Sequence, residues 1–221
     1  MKGFHNKVLH IDLSEKKFWS EDIPDTILNS LLGGRGLGAY LLWKNLKEGT
    51  DPLSPENVLI FATGPLTGTK MMGASRYAVF TKSPLTGFFA DSYSGGDVAP
   101  KIKATGYDAI LIKGASSSPL YLEISDREVK FHPASHLWGK DTYQTEDKVL
   151  EEVGVPGAQT VVIGPAGENM VAFACLENNY WRSAGRCGMG AVAGSKKLKA
   201  IVFHGNATCP LASDDMLDDY V

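Results

Sequence analysis

Apolar and polar positions alternate from Lys7 to Leu13 and again from Lys17 to Glu21, with Ser14-Glu15-Lys16 between them. A period of two turns one side of each run toward a core, so the pattern predicts a β-hairpin. The period then changes. Ile27, Leu28, Leu31 and Leu32, after Pro24-Asp25, fall on one face of a helix closed by Gly33-Gly34. Tyr40, Leu41, Leu42 and Leu46 mark a second helix that begins after Gly38. Beyond the loop Asp51-Pro52-Leu53-Ser54-Pro55, strands are predicted at 58–62, 76–81 and 88–92, then a helix after Gly96 and a strand at 109–113. Residues 120–125 and 128–132 read as a second hairpin turning at Asp126-Arg127. An amphipathic helix follows at 142–153, with Asp141 or Thr142 as its N-cap and Gly154 just past its end. Strands near 159–163 and 170–176, an Arg-Gly loop at 182–190, a short helix and a strand at 199–204 complete the body.

One stretch of this pattern occurs twice. Gly95 to Lys103 leads into Asp108-Ala109-Ile110-Leu111-Ile112-Lys113-Gly114, and Met189 to Lys197 leads into Lys199-Ala200-Ile201-Val202-Phe203-His204-Gly205. Each copy is a glycine-rich turn, a short lysine-bearing helix and a buried strand closed by glycine. Each is also preceded by a strand ending in Gly-Pro, at Leu59–Pro65 and at Thr160–Pro165. Exposed backbone N–H groups at such turns bind anions. Two facing copies would cradle a phosphate-bearing ligand from both sides.

Length and composition narrow the class. A chain of 221 residues accommodates one domain, or two small halves around a shared core. A net charge of −3 removes the broad basic surface that nucleic-acid binding needs. No apolar run reaches the length of a membrane span, and the first residues, Met1 to Asn6, lack the apolar stretch of a secretory signal. Cys175, Cys187 and Cys209 are widely spaced with no Cys-x-x-Cys pair, so neither zinc nor an iron–sulfur cluster is signalled, and reduced thiols of a cytoplasmic protein are expected. The segment from Pro210 to Asp219 reads as a capped helix opening with acidic residues, which suggests a domain continuing into a longer polypeptide.

The chemistry concentrates in Arg182-Ser183-Ala184-Gly185-Arg186-Cys187-Gly188-Met189-Gly190, where glycines admit a ligand to the backbone and two guanidinium groups can grip phosphate in bidentate fashion. Its counterpart is Asp91-Ser92-Tyr93-Ser94-Gly95-Gly96, offering hydroxyls and backbone donors; Arg76 sits at the mouth of a strand. Gly33-Gly34-Arg35-Gly36-Leu37-Gly38 follows a helix, whereas a dinucleotide fingerprint follows a strand, and a tight interhelix turn explains it better. No Gly-x-Ser-x-Gly elbow occurs, the histidines are scattered, and the chain carries no self-contained catalytic machinery. A nucleotide- or phosphate-binding module and a purely structural docking domain both remain open. The absence of a Gly-x-x-x-x-Gly-Lys-Ser/Thr loop weighs against the nucleotide.

Taken jointly, nine segments carry a resemblance over nearly the whole chain. They are Gly34-Arg35-Gly36-Leu37 before Tyr40-Leu41-Leu42, Asp51-Pro52-Leu53-Ser54-Pro55-Glu56-Asn57, Thr63-Gly64-Pro65-Leu66-Thr67-Gly68-Thr69 and Thr81-Lys82-Ser83-Pro84-Leu85-Thr86-Gly87. Gly106-Tyr107-Asp108-Ala109-Ile110, Trp138-Gly139-Lys140, Ile163-Gly164-Pro165-Ala166-Gly167-Glu168-Asn169, Gly185-Arg186 and Gly194-Ser195-Lys196-Lys197-Leu198-Lys199-Ala200-Ile201 complete the set. The chain resembles the N-terminal domain of the tungsten-containing aldehyde:ferredoxin oxidoreductase family. The resemblance implies an α+β fold of two β-sheets with short helices, related by a pseudo-twofold duplication, with residues 1–210 as a tungstopterin-binding base and 211–221 opening a linker helix toward downstream domains. It implies a bis-pyranopterin tungsten cofactor (or its molybdenum analogue) contacted by Arg76, Tyr93, Ser94, Gly95, Arg182, Ser183, Ala184, Gly185 and Arg186. A magnesium ion would bridge the pterin phosphates through the backbone carbonyls of Tyr93 and Ser183. For the parent enzyme it implies aldehyde oxidation to carboxylic acid, with electrons passing to ferredoxin through a [4Fe–4S] cluster outside these residues. Tyr93 stands where the family usually has Asn, Ser183 where it has Ala, and Cys187 where a small residue is common. A base built to be covered by partner domains exposes apolar surface, so a homodimer of the fragment is a further expectation.

Overall fold

Twelve strands fall into two six-stranded sheets that share one strand order. The computed structural model describes residues 1–221. In the first sheet β1 (Lys7–Asp12), β2 (Lys17–Asp22), β3 (Leu59–Thr63), β4 (Tyr77–Lys82), β5 (Phe89–Ser94) and β6 (Ala109–Lys113) run in the order β2-β1-β6-β3-β4-β5. The second contains β7 (Leu120–Ile124), β8 (Val129–Pro133), β9 (Gln159–Val162), β10 (Leu176–Asn178), β11 (Arg182–Ala184) and β12 (Leu198–Phe203). Its order, β8-β7-β12-β9-β10-β11, is that of the first sheet with six added to each strand number. Strand directions match as well: β1–β6 and β7–β12 are the parallel pairs, and the others are antiparallel. The duplication therefore covers the whole of both sheets, beyond the turn–helix–strand unit visible in the sequence.

Seven α-helices complete the fold: α1 (Asp25–Leu31), α2 (Gly34–Asn45), α3 (Val98–Ala104), α4 (Thr142–Val153), α5 (Pro165–Glu168), α6 (Met189–Ser195) and α7 (Asp214–Tyr220). Alternation places Leu59, Phe61, Ile110 and Ile112 on one face, packed with Leu122, Ile124, Val161, Ile201 and Phe203 of the other sheet, and with α3 and α6, in one central core. The opposite face of the first sheet, through Val8, Ile60, Phe80 and Leu111, is covered by α1 and α2; that of the second, through Tyr121, Val162 and Val202, by α4. Asp141 caps α4 by accepting from the Gln144 N–H at 2.8 Å, and Gly154 closes it in the left-handed conformation. No helix is long and apolar enough to cross a membrane.

Equivalent positions of the two halves have exchanged charge. The Asp108 and Lys199 carbonyls accept equivalent bonds, from Thr63 N–H and Ile163 N–H. In the first half Asp108 is the acid, paired with Lys103 at 2.5 Å; in the second Lys199 is the base, paired with Glu168, and both pairs are buried. The register likewise makes His10–Glu21 (3.0 Å) the counterpart of Glu123–His132 (2.8 Å). A buried charge needs a partner wherever it sits, but either sign satisfies that need.

Three sequence expectations are corrected. The second helix starts at Gly34 and not after Gly38, because Gly36 and Gly38 lie inside it where side chains have no room: a Cβ at Gly36 would overlap the Leu31 carbonyl, and one at Gly38 the buried ring of Phe80. Of residues 170–176, which the pattern reads as a strand, only Leu176 belongs to one. The chain turns there, with Met170 at φ 54°, and pairing begins only at Leu176 after the single-turn helix α5. Finally, 182–190 is not all loop, since Arg182–Ala184 forms β11. Overpacking a core contact costs about 1–3 kcal/mol. Gly38→Ala is expected to lose that much unfolding free energy in urea titration, because the Phe80 ring cannot move away; a loss below about 0.5 kcal/mol would contradict the close approach of α2 to the sheet.

Candidate functional site

The duplicated topology delivers two equivalent bends to one place. β4 and β5 pair with Tyr77 opposite Ser94, so Arg76, just before β4, and the bend Gly95–Asp97, just after β5, share one end of the first sheet. In the second sheet β10 and β11 are joined by the tight turn Asn179–Trp181, with Asn178 opposite Arg182, and Gly185–Gly188 follows directly. β5 lies against β11, so the two edges meet. Arg186 N–H donates to Ser92 Oγ at 3.1 Å, and Ser83 Oγ donates to the Cys187 carbonyl at 2.9 Å. A Cβ at Gly95 would stand 3.3 Å from the Ser75 carbonyl and 4.0 Å from Arg182 Nη1. The bends that the sequence singled out thus adjoin one another.

The charges at this junction are arranged for an anion. Arg76, Arg182 and Arg186 are all exposed, and none has a carboxylate partner; Arg35 alone among the arginines is ion-paired, to Asp91 at 2.8 Å. The backbone N–H groups of Gly95, Gly96, Gly185 and Cys187 find no acceptor in the protein. Burial pushes the Glu177 carboxyl above its usual range, opposed by the Ser183 hydroxyl, which donates to both of its oxygens at 2.7 Å. Burial also raises Glu146, against the N–H groups of Tyr180 and Asn179. Unpaired guanidinium groups and free amides form a phosphate-type donor set. The helices after the bends, α3 and α6, are seven residues each and largely buried, so the amides and guanidinium groups carry this affinity rather than helix ends.

Each sequence-derived residue has a place in this arrangement. Arg76 and Tyr93 line a cleft of about 280 Å³ with Gly34, Leu66 and Ala74. The Tyr93 hydroxyl donates to Asp91 at 3.0 Å, and burial, then that hydrogen bond, raises its pKa. Ser94 is buried and donates to Asn178, Ser183 faces Glu177, Ala184 is buried in β11, and Gly185 and Arg186 are exposed beyond it. No group of three or more His, Cys, Asp or Glu side chains is placed to hold a metal ion. Gly33–Gly38 forms the start of α2 and contributes only Gly34 to the cleft. A larger cleft, about 770 Å³, lies elsewhere, between Thr67–Lys70, α3 and residues 207–218.

Sequence reasoning missed what joins the two edges. Asn178 is wholly buried and bonds to Tyr77, Ser94 and Gly95 of the first half. The dipeptide Asn178-Asn179 ahead of Arg182 was the available signal, since asparagine tolerates the left-handed turn that Asn179 adopts at φ 46°.

Comparisons with known proteins agree with this architecture. Residues 8–205 match the family described as "Aldehyde ferredoxin oxidoreductase, N-terminal domain". The tungsten-containing aldehyde ferredoxin oxidoreductase of Pyrococcus furiosus is 45% identical over 212 residues, covering 96% of this chain and 35% of that protein. The aliphatic sulfonate oxidoreductase, WOR-like subunit, of the same organism is 35% identical, covering 97% of this chain and 36% of the relative. Among solved structures, the active site complex BamBC of benzoyl coenzyme A reductase with 1,5-dienoyl-CoA superposes with a TM-score of 0.91 at 39% identity, covering 95% of this chain and 32% of that one. The chain thus spans about a third of the length of the curated relatives it matches.

Proposed function

The chain belongs to the aldehyde ferredoxin oxidoreductase family, matching its N-terminal domain, and on that premise we propose that it is the base holding the phosphates of a bis-pyranopterin tungsten cofactor. The observation that carries this reading is the meeting of three unpaired arginines and four unsatisfied backbone N–H groups where β5 and β11 adjoin. Arg76 and the Gly95 N–H would hold one phosphate from the first half, with the buried Ser94 hydroxyl committed to Asn178 behind them; Arg182, Ala184, Gly185 and Arg186 would hold the other from the second. The Tyr93 and Ser183 carbonyls would hold a magnesium ion, which would neutralise phosphate charge beside the arginines. Gly95 has no side chain because one would fill the space between Ser75 and Arg182 that a phosphate enters.

When bound, the tungsten centre supplies the two-electron oxidation of an aldehyde to a carboxylic acid. The protein's own part is to orient the cofactor and neutralise its phosphates. Electron transfer to ferredoxin through a [4Fe–4S] cluster belongs to residues beyond these. Relatives named for a sulfonate and for a coenzyme A thioester share this base, so it does not select the substrate. The higher identity to the aldehyde enzymes favours aldehyde.

Thermal denaturation separates this reading from a nucleotide-binding module. A ligand at a hundredfold its dissociation constant stabilises by about 2.7 kcal/mol, worth roughly 5–10 °C in a domain of this size. Free bis-pyranopterin tungsten cofactor is expected to produce such a shift, and ATP or NAD is not. Equal shifts with the nucleotides, or none with the metallopterin, would sink the assignment.

A further inference from the structure

We propose that Asn178 is the positioning residue that sets the spacing between the two phosphate-binding bends. This rests on the reading of those bends as phosphate sites, and adds what holds them in register. The Asn178 amide uses all of its hydrogen-bonding capacity, three bonds of the four crossing the junction. Its Oδ1 accepts from Tyr77 Oη and from Ser94 Oγ, each at 2.8 Å, and its Nδ2 donates to the Gly95 carbonyl and to Asn179 Oδ1, each at 3.0 Å. The Gly95 carbonyl can only accept, so the nitrogen must face it, and the amide orientation follows from the donor set.

The covalent and hydrogen-bonded connections run to opposite sides of the site. Asn178 is the last residue of β10 and stands directly opposite Arg182 in the ladder, while three of its four bonds end on β4, β5 and the Gly95 bend. Asn179 extends the tie, accepting from Asp97 N–H at 3.0 Å and donating to Gln159 at 2.7 Å. Asn179 and Tyr180 both take positive φ, 46° and 60°, turning the chain back within three residues so that Arg182 returns beside its own anchor. One wholly buried side chain therefore links the guanidinium that grips one phosphate to the bend that grips the other.

Asn178→Asp is the selective test because it preserves shape. Its second carboxylate oxygen would oppose the Gly95 carbonyl and Asn179 Oδ1, pushing the bends apart without emptying the space. The measurement is inorganic phosphate binding to the protein by ³¹P NMR, with and without Mg²⁺, beside the melting temperature. In the parent sequence Mg²⁺ is expected to tighten phosphate binding roughly tenfold, since a shared ion couples the two sites. In Asn178→Asp that enhancement is expected to vanish, while Mg²⁺-free affinity stays within about twofold because each bend keeps its own donors. Tyr77→Phe removes one of the four bonds and is expected to lose part of the enhancement; it decides the matter should Asn178→Asp fail to fold. An undiminished enhancement in the folded variants overturns the proposal. So does a parallel fall of Mg²⁺-free affinity and melting temperature, which would make Asn178 merely structural. Absence of phosphate binding by the parent sequence overturns the underlying reading, and this proposal with it.

Discussion

Replacing Lys196 by methionine is expected to lower the unfolding free energy by about 3–5 kcal/mol, a large share of the 5–15 kcal/mol typical of a domain. Lys196 lies at the C-terminal end of α6, and its side chain is wholly buried with no carboxylate partner. Its three N–H donors meet three carbonyl oxygens instead: Asn57 at 2.5 Å, Gly114 at 3.1 Å and Pro55 at 3.2 Å. Those carbonyls belong to the segments before β3 and after β6, so an ammonium from the second half is caged by backbone from the first. Methionine keeps the apolar stem but leaves the Asn57 and Gly114 oxygens without a partner, while Pro55 still accepts from the Gly114 N–H at 3.0 Å, and each unsatisfied buried acceptor costs about 1–3 kcal/mol. Removing the desolvated charge offsets part of that sum, which is why the total stays below the upper bound.

The pH dependence of this pair of proteins has a definite sign. Burial pulls the Lys196 pKa down to about 8 from its ordinary 10.5. Between those values the unfolded chain holds a proton that the folded one has released, so stability rises with pH across the window, and below it the cost of the buried charge is present in full. The gap between the parent sequence and Lys196→Met should therefore widen from pH 7 to pH 9.5 in guanidinium titrations, by roughly 1–2 kcal/mol. A loss below about 1 kcal/mol at pH 7 would mean that the carbonyls find other partners, and a narrowing gap would mean that the cage favours the ammonium over the amine.

Most of the sheet framework was legible because strand periodicity is local. Lys7–Asp12 and Lys17–Asp22 alternate as the hairpin requires, and Asp141 and Gly154 bracket α4 where the capping residues put them. Glycine misled in one place. Gly34, Gly36 and Gly38 have low helix propensity, yet the approach of α2 to Phe80 outweighs it, and that approach is a tertiary fact. Val171 to Cys175 is apolar enough to read as a strand, but no partner strand is available to it, and the chain turns instead. The duplication was visible only where both halves kept glycine turns. At Asp108 and Lys199 the halves answer the same burial problem with opposite charges, and at His10 and Glu123 with swapped partners, so sequence identity disappears while topology persists.

The candidate site divides along the same line. Arg182, Gly185 and Arg186 announce themselves by composition within five residues. The Asn178 junction joins residues 83 to 101 positions apart, a separation that a single sequence does not encode locally.

Combining Arg182→Ala with Arg186→Ala is expected to leave the fold intact and empty the site. Both side chains are exposed and unpaired, and surface changes of that kind stay within about 0.5 kcal/mol of neutral. Toward a phosphate each guanidinium contributes a charge-assisted hydrogen bond worth about 1.5–3 kcal/mol, so losing two removes about 3–6 kcal/mol, on the order of a hundredfold to ten-thousandfold in affinity. The measurement is tungsten and molybdenum content of the complete polypeptide carrying both changes, by inductively coupled plasma mass spectrometry. Arg127→Ala serves as the control, because that exposed arginine sits in the β7–β8 turn at the opposite edge of the second sheet. Metal content in the double variant should fall to a few per cent of the control or less, given the size of the lost affinity. Arg76→Ala alone, removing one grip from the other half, should fall between. Full metal occupancy in the double variant, with the control unchanged, would take both arginines out of cofactor binding and leave their lack of carboxylate partners unexplained.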